Sequence, residues 1–402
     1  MDIDRVRKID YWFGVPICFL LSGINLVQRI ARFKKKSDRP AKKVLLMKFS
    51  ELGAIILAHP LLKRIKKEYP SAELFFVTFS KNKDIFKLLG GIVPDENILG
   101  VREEPLFFVL DTLRVIRRLR KEKIDATFDL EFFSRFSAIF AYLVNSGKRI
   151  GFYRYTFEGL YRGNLLTHKI QYNPLNHISK NYLLLIQALK IKEKNTPQLE
   201  EDVDKSELNF PKYTPDRRTK ERVLEKLMSM GVDIGKNKLF LINPGEGVLP
   251  LREWPIDNFI ALSKLILGDR DNYIIIIGTD NAAKKAKLIL DAVNGPRCAS
   301  LVNQTELNEL LGLFSVADIL ISNDCGLSHL AMLSPIKKFI IFGPESPQIF
   351  GPLGENNRII YSNWPCSPCL SVLNHRKSSC LDNICLKVIR PEYVYGQILE
   401  NL

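Results

Sequence analysis

The sequence predicts an α/β protein of two doubly wound parallel sheets, preceded by an apolar helix. Three observations carry this. Short apolar runs alternate with helical periodicity from Lys43 to Phe152. The alternation lapses over residues 195–217 into a polar, acidic stretch punctuated by proline. It then restarts at Lys238 and continues to Phe342. Alternating strands and helices place a parallel sheet between helical layers. Two such halves are expected to face a cleft, with ligands at the carboxyl ends of the strands.

Size and composition agree with this class. The chain has 402 residues, 46% hydrophobic and 26% charged, which is ordinary globular usage. Wholesale disorder, a collagen-like repeat and a polytopic membrane protein are excluded. Seven cysteines are too sparse for a disulfide-stapled scaffold. The net charge is +15, and residues 1–50 hold twelve basic against four acidic side chains. A basic arm suggests an anionic partner, either a membrane or a nucleic acid. A membrane is favoured over nucleic acid, because the basic run lacks interleaved aromatics and no nucleic-acid motif is present.

The elements follow in order. Residues 1–40 form a hydrophobic and basic N-terminal segment. Tyr11–Gln28 carries no charge, and as a helix it would reach ~27 Å, just short of a bilayer core of ~30 Å. Ser22, Asn25, Gln28, Arg29, Arg32 and Lys36 fall on one helical face, with Phe19, Leu20, Ile24, Val27 and Ile30 elsewhere. This is an amphipathic helix expected to lie among anionic headgroups, helped by the basic run from Lys34 to Lys43. A single membrane span and a helix packed on the protein's own body are the alternatives.

Residues 41–195 form the first α/β domain. Strands are predicted at Lys43–Phe49, Glu73–Thr78, Ile124–Leu130 and Lys148–Phe152. Helices are predicted at Gly53–Tyr69, near 82–89 and 106–122, and at Ser134–Asn145. Residues 196–236 are read as a linker with a connecting helix near 218–230. Residues 237–390 form the second α/β domain, with strands at Lys238–Asn243, Asn272–Gly278, Ala317–Ser322 and Lys337–Phe342. It includes a Cys-rich tail over 362–386, and residues 391–402 close the chain as a helix.

Four strand ends carry chemistry. They are Lys48-Phe49-Ser50-Glu51-Leu52-Gly53-Ala54, Asn243-Pro244-Gly245-Glu246-Gly247 followed by Arg252-Glu253-Trp254-Pro255, Gly278-Thr279-Asp280, and Ser322-Asn323-Asp324-Cys325-Gly326-Leu327-Ser328-His329. In the last, Gly326 allows a tight turn into a helix whose first N–H groups would favour a diphosphate. The plainer reading makes Asp324 a helix cap and His329 a packing residue.

Together these segments resemble a known family. NDCGLSHLA, then FGPESP and GPLG, looks like the N-D-x-G-x-x-H-L-A … F-G-P-T block of glycosyltransferase family 9, which contains the ADP-heptose:lipopolysaccharide heptosyltransferases. INPGEG…REWP, TELNELLGLFSVADILISND and KFSELGAIILAHPLLKRIKKEYP are similar to its other blocks, in order, from about Lys43 to Arg390. The resemblance implies a GT-B architecture of two Rossmann-like domains. It implies an inverting transfer without a catalytic metal or other required cofactor. The acceptor would sit on the first domain, near Ser50 and Gly53, and the nucleotide-sugar on the second. Asp324, Cys325, Gly326 and His329 would contact the donor. Arg252 takes the family's Lys position near the phosphates, Gly245 and Glu246 lie on the same donor side, and Asp280 lies near a nucleoside contact. The expected partners are an ADP-sugar, a lipid-linked saccharide and an anionic membrane surface. The expected location is the cytoplasmic face of the inner membrane, peripheral or monotopic.

The chain departs from the family at one position. The aspartate of its G-D pair, a general base, is Ala54 here. A base contributes ~10²–10⁴-fold. Glu51, three residues earlier, is the tentative substitute, with Glu131 or Glu246 as alternatives and a helix-terminal acid as the plainer role. Without a base the chain would be a nucleotide-sugar or glycan-binding protein of the same fold. An epimerase or dehydrogenase is disfavoured, because no G-x-G-x-x-G follows the first strand. Cys366, Cys369, Cys380 and Cys385 are candidate ligands of a structural zinc, with reduced thiols or a disulfide as alternatives.

Overall fold

The computed structural model describes residues 3–31, 41–153, 161–190, 203–245 and 249–401. The chain divides into two compact units, Met1–Asn209 and Phe210–Leu402.

Unit 1 begins with α1 (Ile3–Trp12) and α2 (Gly14–Ala31). Its sheet starts with β1 (Lys43–Met47), followed by α3 (Leu52–Leu57) and α4 (His59–Glu68). Next come β2 (Glu73–Phe79), α5 (Ile85–Leu88), β3 (Ile98–Val101) and α6 (Pro105–Glu122). The unit closes with β4 (Ala126–Asp129), α7 (Arg135–Val144), β5 (Lys148–Tyr153), β6 (His168–Gln171) and α8 (Ile178–Leu184). The six strands are parallel, in the order β3-β2-β1-β4-β5-β6.

One face of this sheet presents Leu45, Met47, Phe75 and Val77, two residues apart along their strands as the pleat requires. They pack with Val115, Ile116 and Leu119 of α6 and Phe140, Ala141 and Val144 of α7. Each fully buried aliphatic side chain stabilises the fold by ~1.5–3 kcal/mol. The single helix predicted over 53–69 is two, because Pro60 has no N–H to continue the first.

His59, at the start of α4, is buried, and burial pushes its pKa down to about 4 from 6.5. The unfolded chain therefore takes up a proton that the folded chain refuses as pH falls through that window. Stability is complete above pH 6.5 and declines toward pH 4, by roughly 3 kcal/mol. His59→Gln should flatten that slope in thermal melts across the window.

Unit 2 starts with α9 (Arg217–Ser229), then β7 (Lys238–Asn243), α10 (Ile256–Leu267), β8 (Asn272–Ile276), α11 (Asp280–Val293) and β9 (Cys298–Ser300). It continues with α12 (Leu307–Val316), β10 (Ile319–Asn323), α13 (Gly326–Leu330) and β11 (Lys337–Phe342). The last elements are α14 (Pro347–Phe350), β12 (Asn357–Tyr361), α15 (Ile384–Lys387) and α16 (Pro391–Leu399). The parallel order is β12-β11-β10-β7-β8-β9, the same winding as unit 1. The core joins Phe240, Ile242, Ile274, Ile276, Ile321 and Ile341 to Phe259, Leu262, Ala286, Leu386 and Val394. Buried Trp254 donates its indole N–H to the Ile389 carbonyl at 3.0 Å. Helix α9, read from sequence as part of a linker, belongs to this unit. Its buried Val223 packs on Gly312 of α12, and Lys226 pairs with Glu309 at 2.8 Å.

The N-terminal helices dock on unit 1 in the opposite sense to that expected. Ser22 and Asn25 of α2 turn inward rather than toward headgroups. Asn25 donates to the carbonyl of Asn164 at 2.9 Å, Ser22 Oγ accepts from the Asn164 N–H at 2.9 Å, and Tyr142 donates to Gln28 at 3.4 Å. These amide and hydroxyl groups find better partners in the loop at Asn164 than water offers. Asp10 of α1 accepts from the backbone N–H groups of Arg135 and Phe136, both at 3.0 Å, and so caps α7. The apolar face points away, with Phe19 73% and Ile30 69% exposed. Arg5–Gln28 is long and apolar enough to cross a membrane by length and composition. The basic run from Lys34 to Arg39 lies outside the described residues.

Candidate active site

In a doubly wound sheet the binding crevice opens where the strand order reverses. In unit 1 that point lies between β1 and β4, and in unit 2 between β7 and β10. Three of the four predicted motifs fall on turns leaving these strands, after β1, β7 and β10, and Gly278-Thr279-Asp280 follows β8.

In unit 1 the turn after β1 brings up Lys48, which is buried. Its Nζ lies 2.7 Å from Glu131 Oε2 and 5.4 Å from the Phe132 ring. The other Glu131 oxygen accepts from the N–H of Phe49 at 2.7 Å and of Ser50 at 3.4 Å. Glu131 thus ties the β1 and β4 turns together, and its oxygens are committed to that task. The Glu51 carboxylate lies 4.0 Å from Lys48 Nζ, and its side chain is 31% exposed. Its backbone has φ +67°, a conformation that costs a residue with a side chain ~1–3 kcal/mol. Gly53 is buried in the first turn of α3, beside Ala54, whose methyl can take no proton.

Beneath this turn lies a buried ion pair. Asp129 ends β4 and accepts from Ser137 Oγ at 2.8 Å and from Arg162 at 3.2 Å. Burial pushes the Asp129 pKa up to about 6 against the pull of Arg162. Burial likewise pushes the Arg162 pKa down.

In unit 2 the turns after β7 and β10 are knitted by asparagines. Asn243 donates to Ser322 Oγ at 3.0 Å and to Cys325 Sγ at 3.1 Å. Asn323 donates to the Pro244 carbonyl at 3.1 Å and accepts from the Trp254 N–H at 3.1 Å. Gly245 has no room for a Cβ, which would meet Asn281 Oδ1 at 2.9 Å. The Cys325 thiol therefore faces inward, and burial pushes its pKa up. Its side chain accepts from Asn243 inside the fold.

A row of alternating charges lines the same turns. Arg252 lies 3.1 Å from Asp324 Oδ2 and 3.9 Å from Glu345 Oε2. Arg376 lies 3.5 Å from the same Glu345 oxygen and 5.0 Å from the Phe350 ring. Asp324 and Glu345 are buried, as is His329 in α13. Two guanidinium groups are fixed on two buried carboxylates in a charge-balanced row, and their planar donor edges are the groups that could meet an anion. Helix α13 has only five residues from Gly326, so any anion there is served by side chains more than by a long helix dipole. Asp280 begins α11 and is exposed, accepting from Asn303 at 2.7 Å. Glu246 lies outside the described residues.

Glu345 and Arg376 were not singled out from the sequence. Glu345 had a signal, since it replaces the threonine of F-G-P-T. Arg376 had none, since it reaches the site from an irregular loop of the Cys-rich tail.

Among the described residues, no group of three or more His, Cys, Asp or Glu side chains is placed to hold a metal ion. The four tail cysteines are all unbridged thiols. Cys380 donates to the Asp382 carbonyl at 2.9 Å, and Ser378 donates to Cys369 at 3.4 Å. Burial first, then the neighbouring Cys369, Cys366 and Cys380, push the Cys385 pKa up to about 11.

Comparison with known proteins bears on the family and the fold. The profile of glycosyltransferase family 9 (heptosyltransferase) matches residues 112–379. Lipopolysaccharide heptosyltransferase 2 of Escherichia coli is 27% identical over 120 residues, 29% of this chain and 34% of that protein. Lipooligosaccharide heptosyltransferase 2 of Haemophilus influenzae is 22% identical over 328 residues, 79% of this chain and 88% of that protein. Among solved structures, the E. coli ADP-heptose LPS heptosyltransferase II superposes with TM-score 0.66 at 18% identity, covering 89% of this chain and 98% of that one. A family 9 glycosyltransferase from Veillonella parvula gives 0.67 at 15% identity, covering 89% and 96%. The match over most of the sequence and the two Rossmann-like sheets of the GT-B class make the chain a glycosyltransferase, belonging to glycosyltransferase family 9.

Proposed function

We propose that the protein moves heptose from an ADP-sugar onto a lipopolysaccharide core or related lipid-linked saccharide, with inversion and with no metal in the reaction. The observation that carries this reading is the Arg252–Asp324–Glu345–Arg376 row on unit 2. When the glycosidic bond to the diphosphate breaks, negative charge grows on the leaving oxygens. Fixed guanidinium groups stabilise that charge without having to reorganise. Glu51 takes the proton of the acceptor hydroxyl, whose oxygen bonds to the anomeric carbon as the diphosphate leaves. Lys48 and Glu131 hold the turn that carries Glu51. The names of the relatives supply heptose, ADP and lipopolysaccharide. The enzyme works as a peripheral or monotopic protein on the cytoplasmic face of the inner membrane. The outward apolar face of α2 supports this, since a soluble body seldom leaves such a stripe uncovered.

Calorimetry tests the donor assignment, comparing ADP-heptose with UDP-, GDP- and dTDP-sugars. ADP-heptose should bind selectively, and Arg252→Gln should weaken it by ~10–100-fold through loss of charged hydrogen bonds. Binding of a different nucleotide-sugar would overturn the heptose assignment. Binding to none of them would overturn the donor site.

A further inference from the structure

Helix α6 is apolar on two opposite sides. Val115, Ile116 and Leu119 face the core of unit 1. On the other side Leu106, Val109, Leu110 and Leu113 form a stripe at helical spacing, and all four are exposed, Leu106 to 69%. Phe107 extends the stripe beneath the guanidinium of Arg102, 3.9 Å from its ring. Arg114, Arg117 and Lys121 continue the same face toward the helix end. Single exposed apolar residues need no explanation, but a row with a basic border does.

On its core side α6 packs on α7, the helix that also carries α1 and α2. The Phe108 ring lies 4.9 Å from that of Phe136. Phe136 and Arg135 donate to Asp10, and Arg135 lies 5.4 Å from the Tyr11 ring. Beyond Tyr11 stand Trp12 and Phe13, 71% and 66% exposed. Helix α6 leaves β3 and α7 leaves β4, so both patches begin at the carboxyl edge of the sheet. Glu51 and Lys48 are on that edge as well.

We infer that the apolar stripe of α6 is a second membrane-docking element, which inserts beside α1 and α2 into the headgroup region of an anionic bilayer. It rests on the membrane reading above and adds orientation to it. One helix alone leaves the body free to swivel. Two elements flanking α7 fix the carboxyl edge of unit 1, with its acceptor turn, against the lipid from which the acceptor saccharide projects. The basic end of α6 matches anionic headgroups in charge.

Flotation of the full-length protein with phosphatidylcholine vesicles containing about a third phosphatidylglycerol tests this. The variant L106E/L110E/L113E should partition at least about tenfold more weakly than wild type. The substituted side chains lie opposite the core, and an acid in the first helical turn suits the dipole, so the thermal melt should be unchanged. The milder L106Q/L110Q should weaken partitioning in the same direction. If both α6 variants float like wild type while F19E/V27E/I30E in α2 does not, the α6 proposal falls and the membrane reading stands. If wild type itself does not float, both fall. If wild type sediments as a dimer without vesicles and the α6 variant as a monomer, the stripe is an interface between copies and the proposal is overturned.

Discussion

Glu51→Gln should lower kcat by ~10²–10⁴-fold while donor affinity stays within ~2-fold, since it removes a general base and leaves the proposed diphosphate site on the other unit intact. The amide keeps the size and the backbone of the glutamate. Glu51→Gly separates chemistry from architecture. Glycine adopts φ +67° without strain, so this variant should lose turnover equally yet melt at a higher temperature, by the equivalent of ~1 kcal/mol. Loss of activity together with a gain in stability is the signature of a residue strained for function. Stopped-flow or discontinuous transfer assays on wild type and both variants, with melts alongside, decide it. Undiminished turnover in Glu51→Gln would remove Glu51 from the mechanism.

The second large effect is on folding. Arg162→Met should destabilise unit 1 by roughly 3–5 kcal/mol, because it strands the buried Asp129 carboxylate. That is a large part of the ~5–15 kcal/mol that holds a domain together. Arg162 also donates to the Phe152 carbonyl and lies 5.5 Å from the Phe133 ring, so its loss loosens the aromatic layer as well. The double variant Asp129→Asn/Arg162→Met should recover most of the loss. The pH slope gives an independent reading. The folded pKa of Asp129 is raised to about 6 from 3.8, so its ionisation disfavours the fold as pH rises through that range. Arg162→Met removes the charge that holds this pKa down, so the variant should gain stability as pH is lowered, more steeply than wild type and beginning from a higher pH. This slope is opposite in sign to that of His59. Urea melts at several pH values check both.

The doubly wound halves were legible because their central strands are apolar runs, as in Asn272–Ile276, buried on both faces. The edge strands β3, β6, β9 and β12 were not. The first three are three or four residues long, and β3 contains Gly100, so no period develops, while in β12 only Ile360 is buried. The turns carrying Glu51, Arg252 and Asp324 were legible because glycine and polar residues break off apolar strand runs there, in blocks that resemble those of the family. Arg376 was hidden, since a long side chain reaching in from an irregular loop leaves no pattern in the sequence. The docking sense of α2 was hidden for another reason. Its polar residues read as a water-facing edge, and nothing local reveals that Asn164 is waiting for Asn25. The inward thiol of Cys325 likewise depends on Asn243, far along the chain.

The docking of the first helices has a consequence in time. Asp10 finds its partner 125 residues downstream in Arg135, and Asn25 finds Asn164 139 residues downstream. At ~5–20 residues per second, a ribosome needs several seconds to tens of seconds to deliver those partners. Throughout that interval Phe19, Val27 and Ile30 are already synthesised, and they are side chains the finished fold never covers. On the membrane reading proposed above, the emerging chain would meet lipid first and complete its first sheet there, so that the bilayer would also be the surface on which the enzyme is assembled.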